Sequence, residues 1–269
     1  MPDCTFAIII PARYASTRYP GKPLVPLRGA TGVPKPLVQR SWECAMAVPG
    51  CSGVWVATDD DRIAEAVTKF GGEVVMTDAS CANGTERCAD AIASLGDVAD
   101  VVVNLQGDAP LSPSTIVHDL VAMLNADSAL TMTTPAVRCS QSVYAHLADD
   151  AAHGRVGGTT VVGTSQNRAL YFSKRLIPYL PQEHVVADFP PVSLHLGMYA
   201  YRPEALRQYY HAPTSQIEQL EGLEQLRFLD LGLSVGLLHL DPLDWDSIEL
   251  NNPSDVPVIE RILSERGIV

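Results

Sequence analysis

The sequence predicts an α/β fold, in which helices flank a mostly parallel sheet and a smaller mixed β subdomain follows. Short apolar runs alternate with segments of helical periodicity through the first half of the chain, which is typical of βαβ units with right-handed crossovers. Polar clusters follow several of the apolar runs directly, as expected where parallel strands end at one rim of a sheet. With 269 residues, 46% of them hydrophobic, the chain can bury a core of this size.

The first half of the chain is predicted to contain four strands, each followed by a helix. Phe6–Ile10 is a continuous apolar run that stops at Pro11, as in a strand that is buried on both faces. The next strands are predicted at Gly53–Ala57, Glu73–Met76 and Val101–Leu105, and the helices at Leu37–Val48, Asp61–Phe70, Thr85–Leu95 and Ser114–Asn125.

The second half is predicted to contain further strands, longer loops and three helices. The strands are Leu130–Ala136, Gly157–Val162, Ala169–Ser173, Leu196–Tyr201 and Leu233–Leu240, and the helices are Glu204–Tyr210, Gln216–Leu231 and Ser254–Arg266. Tyr179–Pro191 is rich in proline and has no period, so we expect a loop there. Within the long helix, Glu221, Glu224 and Arg227 have the spacing of i,i+3 pairs on one face.

Charge and cysteine usage exclude several classes of protein. The net charge is −12 and no basic face is visible, so we expect no nucleic-acid partner. No apolar run reaches the roughly 18 residues that span a bilayer, and no basic segment precedes the first strand. We therefore expect no membrane contact and a cytoplasmic location. The six cysteines form no CxxC pair, which favours free thiols over a metal site.

A basic loop, Pro11–Pro23, follows the first predicted strand in this acidic chain. Arg13, Arg18 and Lys22 fall within ten positions, and small residues between them let backbone amides approach a ligand. Amides and cations together form a phosphate cradle, although the spacing is not that of a P-loop. A solvated charged loop would also account for the pattern. Thr58–Asp61 and Gln106–Asp108 follow two other strands, so three polar loops should open on one rim of the sheet.

Specific motifs extend this pattern along most of the chain. The basic loop reads R-x-x-S-T-R-x-P-G-K-P from Arg13 to Pro23. Six further motifs follow in order: Ala57–Asp60, Asn83–Arg87, Asn104–Asp108 with Pro110, Ala169–Ser173, His195–Tyr199 and Leu223–Arg227. Together they resemble the CMP-3-deoxy-D-manno-octulosonate synthetase family of sugar-nucleotide cytidylyltransferases.

The resemblance implies a Rossmann-like nucleotidyltransferase that joins an oxygen of a small anionic acid to the α-phosphorus of CTP and releases pyrophosphate, with Mg²⁺ as cofactor. It implies catalytic roles for Arg13, Lys22 and Asp108, and metal ligation by Asp108 and the residue at Asn251. The residues implied to bind the nucleotide are Pro11, Ala12, Arg13, Ser16, Arg18, Lys22, Thr58, Asp59, Asn83, Thr85, Arg87 and Gln106.

The acceptor acid is implied to contact a second group of residues, namely Gln106, His195, Tyr199, Glu224 and Gln225. The resemblance also assigns nucleotide binding to residues 1–128, acceptor binding and homodimer contacts to residues 129–203, and completion of the α/β domain to residues 204–269. From the residues alone, simpler roles stay open. Asp108 could cap the next element, His195 could be a strand-edge histidine, and Glu224 could be a solvated helix residue.

Four departures from the family pattern affect the acceptor and metal surroundings. Ala109 takes the place of a polar residue after Asp108, and Ala30–Pro34 is an insertion. The second family metal ligand, an aspartate, aligns with Asn251, whose carbonyl oxygen can still ligate magnesium; Glu249 lies on the same face of an extended segment. Arg155–Val162 replaces a family strand sequence.

These departures leave several functions open. Four Lys against fifteen Arg are typical of a GC-rich genome, and a Gram-positive source of that kind would have no lipopolysaccharide and no use for the octulosonate. A phosphonate acceptor in natural-product biosynthesis is therefore one alternative. The others are a sugar-phosphate nucleotidyltransferase that uses UTP or dTTP, and a non-catalytic nucleotide-binding homologue.

Overall fold

The computed structural model describes residues 4–15, 19–96, 98–108, 110–111, 113, 115–186, 188–242 and 250–269. The chain divides into two compact units. The first comprises the chain up to His118, then Arg202–Tyr210 and the C-terminal segment from Leu250. The second comprises Asp119–Tyr201 and the segment from His211 to Pro242. None of the helices in these described ranges is long and apolar enough to cross a membrane.

The described ranges contain strands and helices in alternation. In chain order the strands are β1 (Phe6–Pro11), β2 (Pro26–Arg28), β3 (Pro34–Pro36), β4 (Val54–Thr58), β5 (Glu73–Met76), β6 (Val101–Leu105), β7 (Met132–Arg138), β8 (Thr160–Gly163), β9 (Ala169–Ser173), β10 (Ser193–His195), β11 (Met198–Tyr201) and β12 (Val235–Leu240). The helices are α1 (Leu37–Met46), α2 (Asp61–Lys69), α3 (Gly84–Leu95), α4 (Thr115–Ala126), α5 (Gln141–Ala152), α6 (Gln182–Val185), α7 (Pro203–His211), α8 (Gln216–Glu221), α9 (Gln225–Asp230) and α10 (Val256–Glu265).

The first unit contains a parallel sheet with strand order β5-β4-β1-β6. Ile8 of β1 pairs with Val54 on one side and with Val103 on the other. The centre of β1 is fully buried, which explains its continuous apolar sequence. Because these strands are parallel, their carboxyl ends meet at one edge, as the sequence predicted.

A small hairpin of β2 and β3 contains the predicted insertion, Ala30–Pro34, in and beside its turn. The backbone N–H of Ala30 donates to the carbonyl oxygen of Ile268 at 2.8 Å, close to α10. A buried cluster covers the other side of the hairpin, and its members are Leu27, Leu37, Leu111, Leu250, Ile259, Ile262 and Leu263. The insertion is therefore accommodated at the surface, and the hairpin contributes Leu27 to the core.

The second unit has a mixed sheet built around β7. Strands β10 and β11 pair antiparallel with successive parts of β7, and β12 pairs with it in parallel. Strand β8 connects β10 to β9, again antiparallel. The α/β fold class and the smaller mixed β part are confirmed. The six cysteines, all within the described ranges, form no disulfide bond.

The predicted helix Gln216–Leu231 is wrong as a single helix. It is two short helices, α8 and α9, because Gly222 ends the first with a left-handed φ of 62°. Glu221 and Glu224 therefore do not share a helix face. Glu221 accepts hydrogen bonds from Ser173 Oγ at 2.7 Å and from the backbone N–H of Lys174 at 3.0 Å.

Other elements of the second half also differ from the predictions. The predicted strand Leu196–Tyr201 corresponds to two observed strands, because β10 ends at His195 and β11 begins at Met198. The loop Tyr179–Pro191 contains the short helix α6, and α5 has no counterpart in the predictions. Most first-half elements match to within two residues at each end; β5 and β6 match their predicted bounds.

A buried ion pair joins α8 to α9. The Arg227 guanidinium donates to both Glu218 oxygens, at 2.6 and 2.7 Å, and the two side chains are 2% and 7% exposed. Glu218 also completes a capping box with Ser215. This bidentate pair holds two helices that are individually too short to be stable alone.

We predict that Arg227→Met lowers the free energy of unfolding by about 3–5 kcal/mol, because it leaves the Glu218 carboxylate buried without its cation. Urea unfolding followed by circular dichroism measures this. Arg261→Met is the matched control, since Arg261 pairs with Glu265 at the surface and both side chains are more than half exposed; there we expect a loss of at most about 1 kcal/mol. Equal losses in the two variants would contradict the assigned role.

Candidate functional site

The basic loop is closed at its base by a backbone hydrogen bond. The N–H of Gly21 donates to the carbonyl oxygen of Tyr14 at 2.9 Å, which joins the two sides of the loop. Gly21 has a φ of 71°, and a Cβ at this position would lie 3.1 Å from the Tyr14 ring. Conformation and space therefore both require glycine here. Lys22 follows at once and begins a short 3-10 helix.

An ion pair connects this loop to the end of β6. Lys22 Nζ lies 2.5 Å from Asp108 Oδ2, and the two side chains are 15% and 24% exposed. Gly107 allows the chain after β6 to lie close to the end of β1, because a Cβ on it would lie 2.7 Å from the carbonyl oxygen of Pro11. The Gly107 carbonyl oxygen also accepts from Ser41 Oγ at 3.0 Å. The structure thus brings Lys22 and Asp108 together where β1 and β6 end.

The segment that carries Asn251 lies beside Asp108. The backbone N–H of Leu250 donates to the Asp108 carbonyl oxygen at 2.9 Å. Asp255 Oδ2 accepts from the backbone N–H groups of Asn251 and Asn252, at 2.9 and 2.7 Å. The Asp255 carboxylate is therefore engaged as a cap, and the segment that carries Asn251 lies against the Asp108 backbone.

The N-terminus of α3 converges on the ends of β1 and β6. A Cβ on Gly84 would lie 3.4 Å from each of Pro11 Cγ, Asn104 Nδ2 and Gln106 Nε2. Asn83 caps the helix, because its Oδ1 accepts from the Glu86 backbone N–H at 2.8 Å. Pro11, Asn83 and Gln106, which the resemblance assigned to the nucleotide, therefore lie close together around a helix N-terminus, a position suited to anionic ligands.

Asp59 and the buried Arg87 form an ion pair beside the N-terminus of α3. Arg87 Nη1 lies 3.0 Å from Asp59 Oδ1 and donates to Thr77 Oγ1 at 2.6 Å. The Arg87 residue is 3% exposed, and Thr58 is fully buried. These side chains hold α3 against the loop after β4; their contact with a nucleotide stays a prediction.

The remaining predicted residues of the first unit have varied surroundings. Ala12 and Thr85 are buried, and Arg13 is exposed. Ser16, Arg18, Ala109 and Glu249 lie outside the described residues, so their assigned roles stay predictions.

In the second unit His195 lies on β10 within a row of aromatic rings. Its ring centroid is 5.1 Å from that of Phe172 and 5.5 Å from that of Tyr199. Burial among these groups lowers the pKa of His195 from 6.5 to about 3. The imidazole is therefore neutral at physiological pH.

The hydrogen bonds of Thr134 fix the tautomer of this neutral ring. Thr134 Oγ1 donates its single proton to the Met198 carbonyl oxygen at 2.8 Å. It also lies 2.9 Å from His195 Nε2, so Nε2 must carry the proton for this contact to be a hydrogen bond. Nδ1 then bears a lone pair, and His195 can accept a hydrogen bond there without carrying charge.

The other predicted acceptor residues lie around α9 and β11. Tyr199 is 4% exposed and Gln225 is 2% exposed. Within the described part of the chain, Gln225 Nε2 is buried without a hydrogen-bond partner. Glu224 is the residue before α9 and is partly exposed. The structure thus places His195 and Tyr199 in contact within one unit, while Gln106 belongs to the other unit.

Sequence reasoning missed two features of the first unit. Asn104 was recognised in a motif, yet its fully buried amide has no hydrogen-bond partner among the residues that are described. Arg62, which follows the Thr58–Asp61 cluster, lies over the Tyr14 ring of the basic loop. The signal for Arg62 was its place in the first turn of a helix that starts at a ligand-binding rim.

Comparison with known proteins agrees with these observations. A family model described as "Cytidylyltransferase" matches residues 7–235. The chain is 40% identical over 259 residues to a 3-deoxy-manno-octulosonate cytidylyltransferase from Maricaulis maris, covering 96% of this chain and 97% of the relative. It is 39% identical to an 8-amino-3,8-dideoxy-manno-octulosonate cytidylyltransferase from Shewanella loihica, covering 96% and 98%.

A solved structure shows the same fold along the whole chain. It is described as CMP:2-keto-3-deoxy-manno-octonic acid synthetase complexed with CTP, and it aligns with a TM-score of 0.81 at 33% identity. The alignment covers 97% of this chain and 99% of that one. The resemblance inferred from the seven motifs is therefore confirmed at the level of the family.

The low pKa of His195 predicts a specific loss of stability in acid. The unfolded chain takes up this proton below about pH 6.5, whereas the folded protein does so only near pH 3. The free energy of unfolding should therefore fall by about 1.4 kcal/mol per pH unit in that window, on account of this residue. His195→Gln keeps an N–H for Thr134 but does not titrate. Its urea-unfolding free energy, measured from pH 7.5 to 4.5, should fall less steeply than that of the wild type. Parallel curves would contradict the assignment.

Proposed function

Because the chain belongs to the cytidylyltransferase family and is a nucleotidyltransferase, we propose that it transfers CMP from CTP to 3-deoxy-manno-octulosonate and releases pyrophosphate. The observation that carries this proposal is the pairing of Lys22 with Asp108 beside the basic loop. A phosphate-binding cation and a metal-binding carboxylate thereby lie at one point on the carboxyl rim of the sheet, where nucleotides bind in open α/β folds.

The cationic loop supports the transfer of a phosphoryl group in particular. The reaction requires neutralisation of charge and in-line placement more than proton transfer. Lys22, largely buried at the base of the loop, is placed to stabilise the charge that develops on the leaving pyrophosphate. Arg13, exposed one residue after Ala12, extends the positive charge toward solvent, where the triphosphate would enter.

We propose Mg²⁺ as the cofactor, held by Asp108 and Asn251. The donor set fits the ion, because magnesium is commonly bound by one or two protein oxygens together with phosphate oxygens of the substrate. Among the described residues no cluster of three or more histidine, cysteine, aspartate or glutamate side chains forms an all-protein metal site, which agrees with a metal that arrives with the triphosphate. When bound, Mg²⁺ would neutralise phosphate charge.

The acceptor is proposed from the second unit and from the relatives. The two relatives named above act on acids that differ by an amino group in place of a hydroxyl group at carbon 8. Their identities to this chain, 40% and 39%, are nearly equal, so the 8-amino acid is the second candidate. His195, Tyr199, Glu224 and Gln225 are the residues that we assign to the acceptor. The phosphonate acceptor expected from the departures stays a prediction.

We also propose that the protein is a cytoplasmic homodimer. Large exposed apolar side chains in the second unit support the dimer, because aromatic residues in particular are enriched at contact surfaces between proteins. They include Leu170, Tyr179, Val186 and Phe189. This agrees with the dimer strands that the resemblance assigned to residues 129–203.

An acceptor and nucleotide screen tests the reaction. Pyrophosphate release is measured with CTP, Mg²⁺ and, in turn, 3-deoxy-manno-octulosonate, its 8-amino analogue and a panel of phosphonates. We expect the highest kcat/KM with the first acid, and we expect UTP and dTTP not to replace CTP. Turnover of the 8-amino acid or of a phosphonate alone would identify that acceptor instead. CTP binding without pyrophosphate release for any acid would favour the non-catalytic alternative.

Substitutions at the ion pair test the two assigned roles separately. Lys22→Ala should lower kcat by about 10²- to 10³-fold through lost charge stabilisation. Asp108→Asn should remove most metal-dependent activity and weaken Mn²⁺ binding in the presence of CTP, measured by electron paramagnetic resonance. The exposed Asp230→Asn at the end of α9 is the control and should bind Mn²⁺ as the wild type does. Full activity of Asp108→Asn would refute its metal role.

A further inference from the structure

The basic loop is held from outside by a side chain of α2. The guanidinium carbon of Arg62 lies 3.3 Å from the centroid of the Tyr14 ring. This is the geometry of a cation–π contact, and Tyr14 belongs to the basic loop. A helix that contributes no residue to the predicted phosphate site therefore contacts the loop directly.

Asp60 fixes the position of this cation. Arg62 Nε and Nη2 donate to the two oxygens of Asp60, at 3.0 and 2.6 Å. The backbone N–H of Arg62 also donates to Asp60 Oδ1 at 3.0 Å, so the same carboxylate caps α2. These hydrogen bonds from Arg62 lower the pKa of the Asp60 carboxyl group. The guanidinium is thus held by two parallel hydrogen bonds, which restrict its orientation.

Within the basic loop, Tyr14 contacts Gly21, the residue before Lys22. The phenol end of the Tyr14 ring lies against Gly21, where a Cβ would be only 3.1 Å from Cζ and Oη. The Tyr14 carbonyl oxygen accepts from the Gly21 N–H. Gly21 immediately precedes Lys22, whose ammonium group pairs with Asp108. A continuous series of contacts therefore runs from the start of α2 to the proposed phosphate-binding cation.

We propose that Tyr14, Asp60 and Arg62 are positioning residues, which hold Tyr14 against Gly21 so that the adjacent Lys22 is in place before a polyphosphate binds. This inference rests on the proposed function, because it assigns these residues to the triphosphate part of that site. A lysine that is already in place loses less conformational freedom when the ligand binds, and affinity rises accordingly. We call the contacts of Asp60, Arg62 and Tyr14 the clamp. The effect should be specific to ligands that carry the β- and γ-phosphates, since the clamp acts on Lys22 and not on the base.

The test compares ligands with and without those phosphates. Calorimetric titrations with CTP, CMP and inorganic tripolyphosphate are performed on the wild type, Arg62→Met, Tyr14→Leu and Tyr14→Phe. We expect Arg62→Met and Tyr14→Leu to weaken CTP and tripolyphosphate binding by about threefold to tenfold, with CMP affinity changed less than about twofold. Tyr14→Phe keeps the aromatic face and should bind as the wild type does.

Two controls separate positioning from a general loss of stability. Arg261→Met removes an arginine of similar exposure, 62% against 59%, that also pairs with a carboxylate; it should leave all three affinities unchanged. Combining Tyr14→Leu with Arg62→Met should cost no more CTP affinity than Tyr14→Leu alone, because both changes break one contact. In kinetics, KM for CTP should rise more than kcat falls.

The possible failures can be told apart. Equal weakening of CTP and CMP, or no weakening of either polyphosphate ligand, would overturn the clamp while leaving the proposed function intact. A wild type that binds tripolyphosphate but not CTP would contradict the proposed nucleotide. The Arg62→Met result with tripolyphosphate would still decide whether the clamp exists.

Discussion

The contact between Lys22 and Asp108 joins residues that are 86 positions apart in the chain, and the geometry of the nucleotide half depends on it. It forms because β1 and β6 are adjacent parallel strands, so that the segments following them start from the same edge of the sheet. It also requires two glycines. Gly107 must lie against the backbone of Pro11, and Gly21 must turn the loop back toward Tyr14. Strand order and backbone approach thus bring the two charged side chains together, and their contact joins the basic loop to the end of β6.

The dependence of the site on strand order explains why much of the first half of the chain could be predicted. A strand that is buried along its length is mostly apolar, so its ends are visible in the sequence, as for β6. In the second half, local pattern and tertiary contact disagree. The segment Gln216–Leu231 has helical periodicity, but Gly222 and the buried pair of Glu218 with Arg227 favour two helices. An ion pair between two separate short helices has no signature in helical periodicity, so Gly222 was the signal in the sequence for the break between them.

Some features of the candidate site could likewise be predicted from the sequence, and others could not. Charged residues directly after a strand, such as Lys22 and Asp108, were identified because position and chemistry coincide. The sequence could not show that Arg87 is buried against Asp59 and Thr77, since burial depends on what α3 packs against. Nor could it show the tautomer of His195, which is fixed by Thr134, 61 positions away. Residue type indicates which chemistry is available, and the fold decides which protonation state and partner a side chain has.

The same physics makes the nucleotide half easier to define than the acceptor half. A triphosphate is recognised by charge and by backbone amides, and many sequences provide both at a strand end. Two sugar acids that differ in one hydroxyl or amino group are separated by one or two hydrogen bonds, which overall identities of 40% and 39% do not resolve. His195, which is proposed above to contact the acceptor, limits how the acceptor can be bound. With Nε2 donating to Thr134 and the ring neutral, it can accept a hydrogen bond from a hydroxyl group through Nδ1, but it cannot neutralise a carboxylate or a phosphonate. The negative charge of the acceptor must therefore be met by other groups.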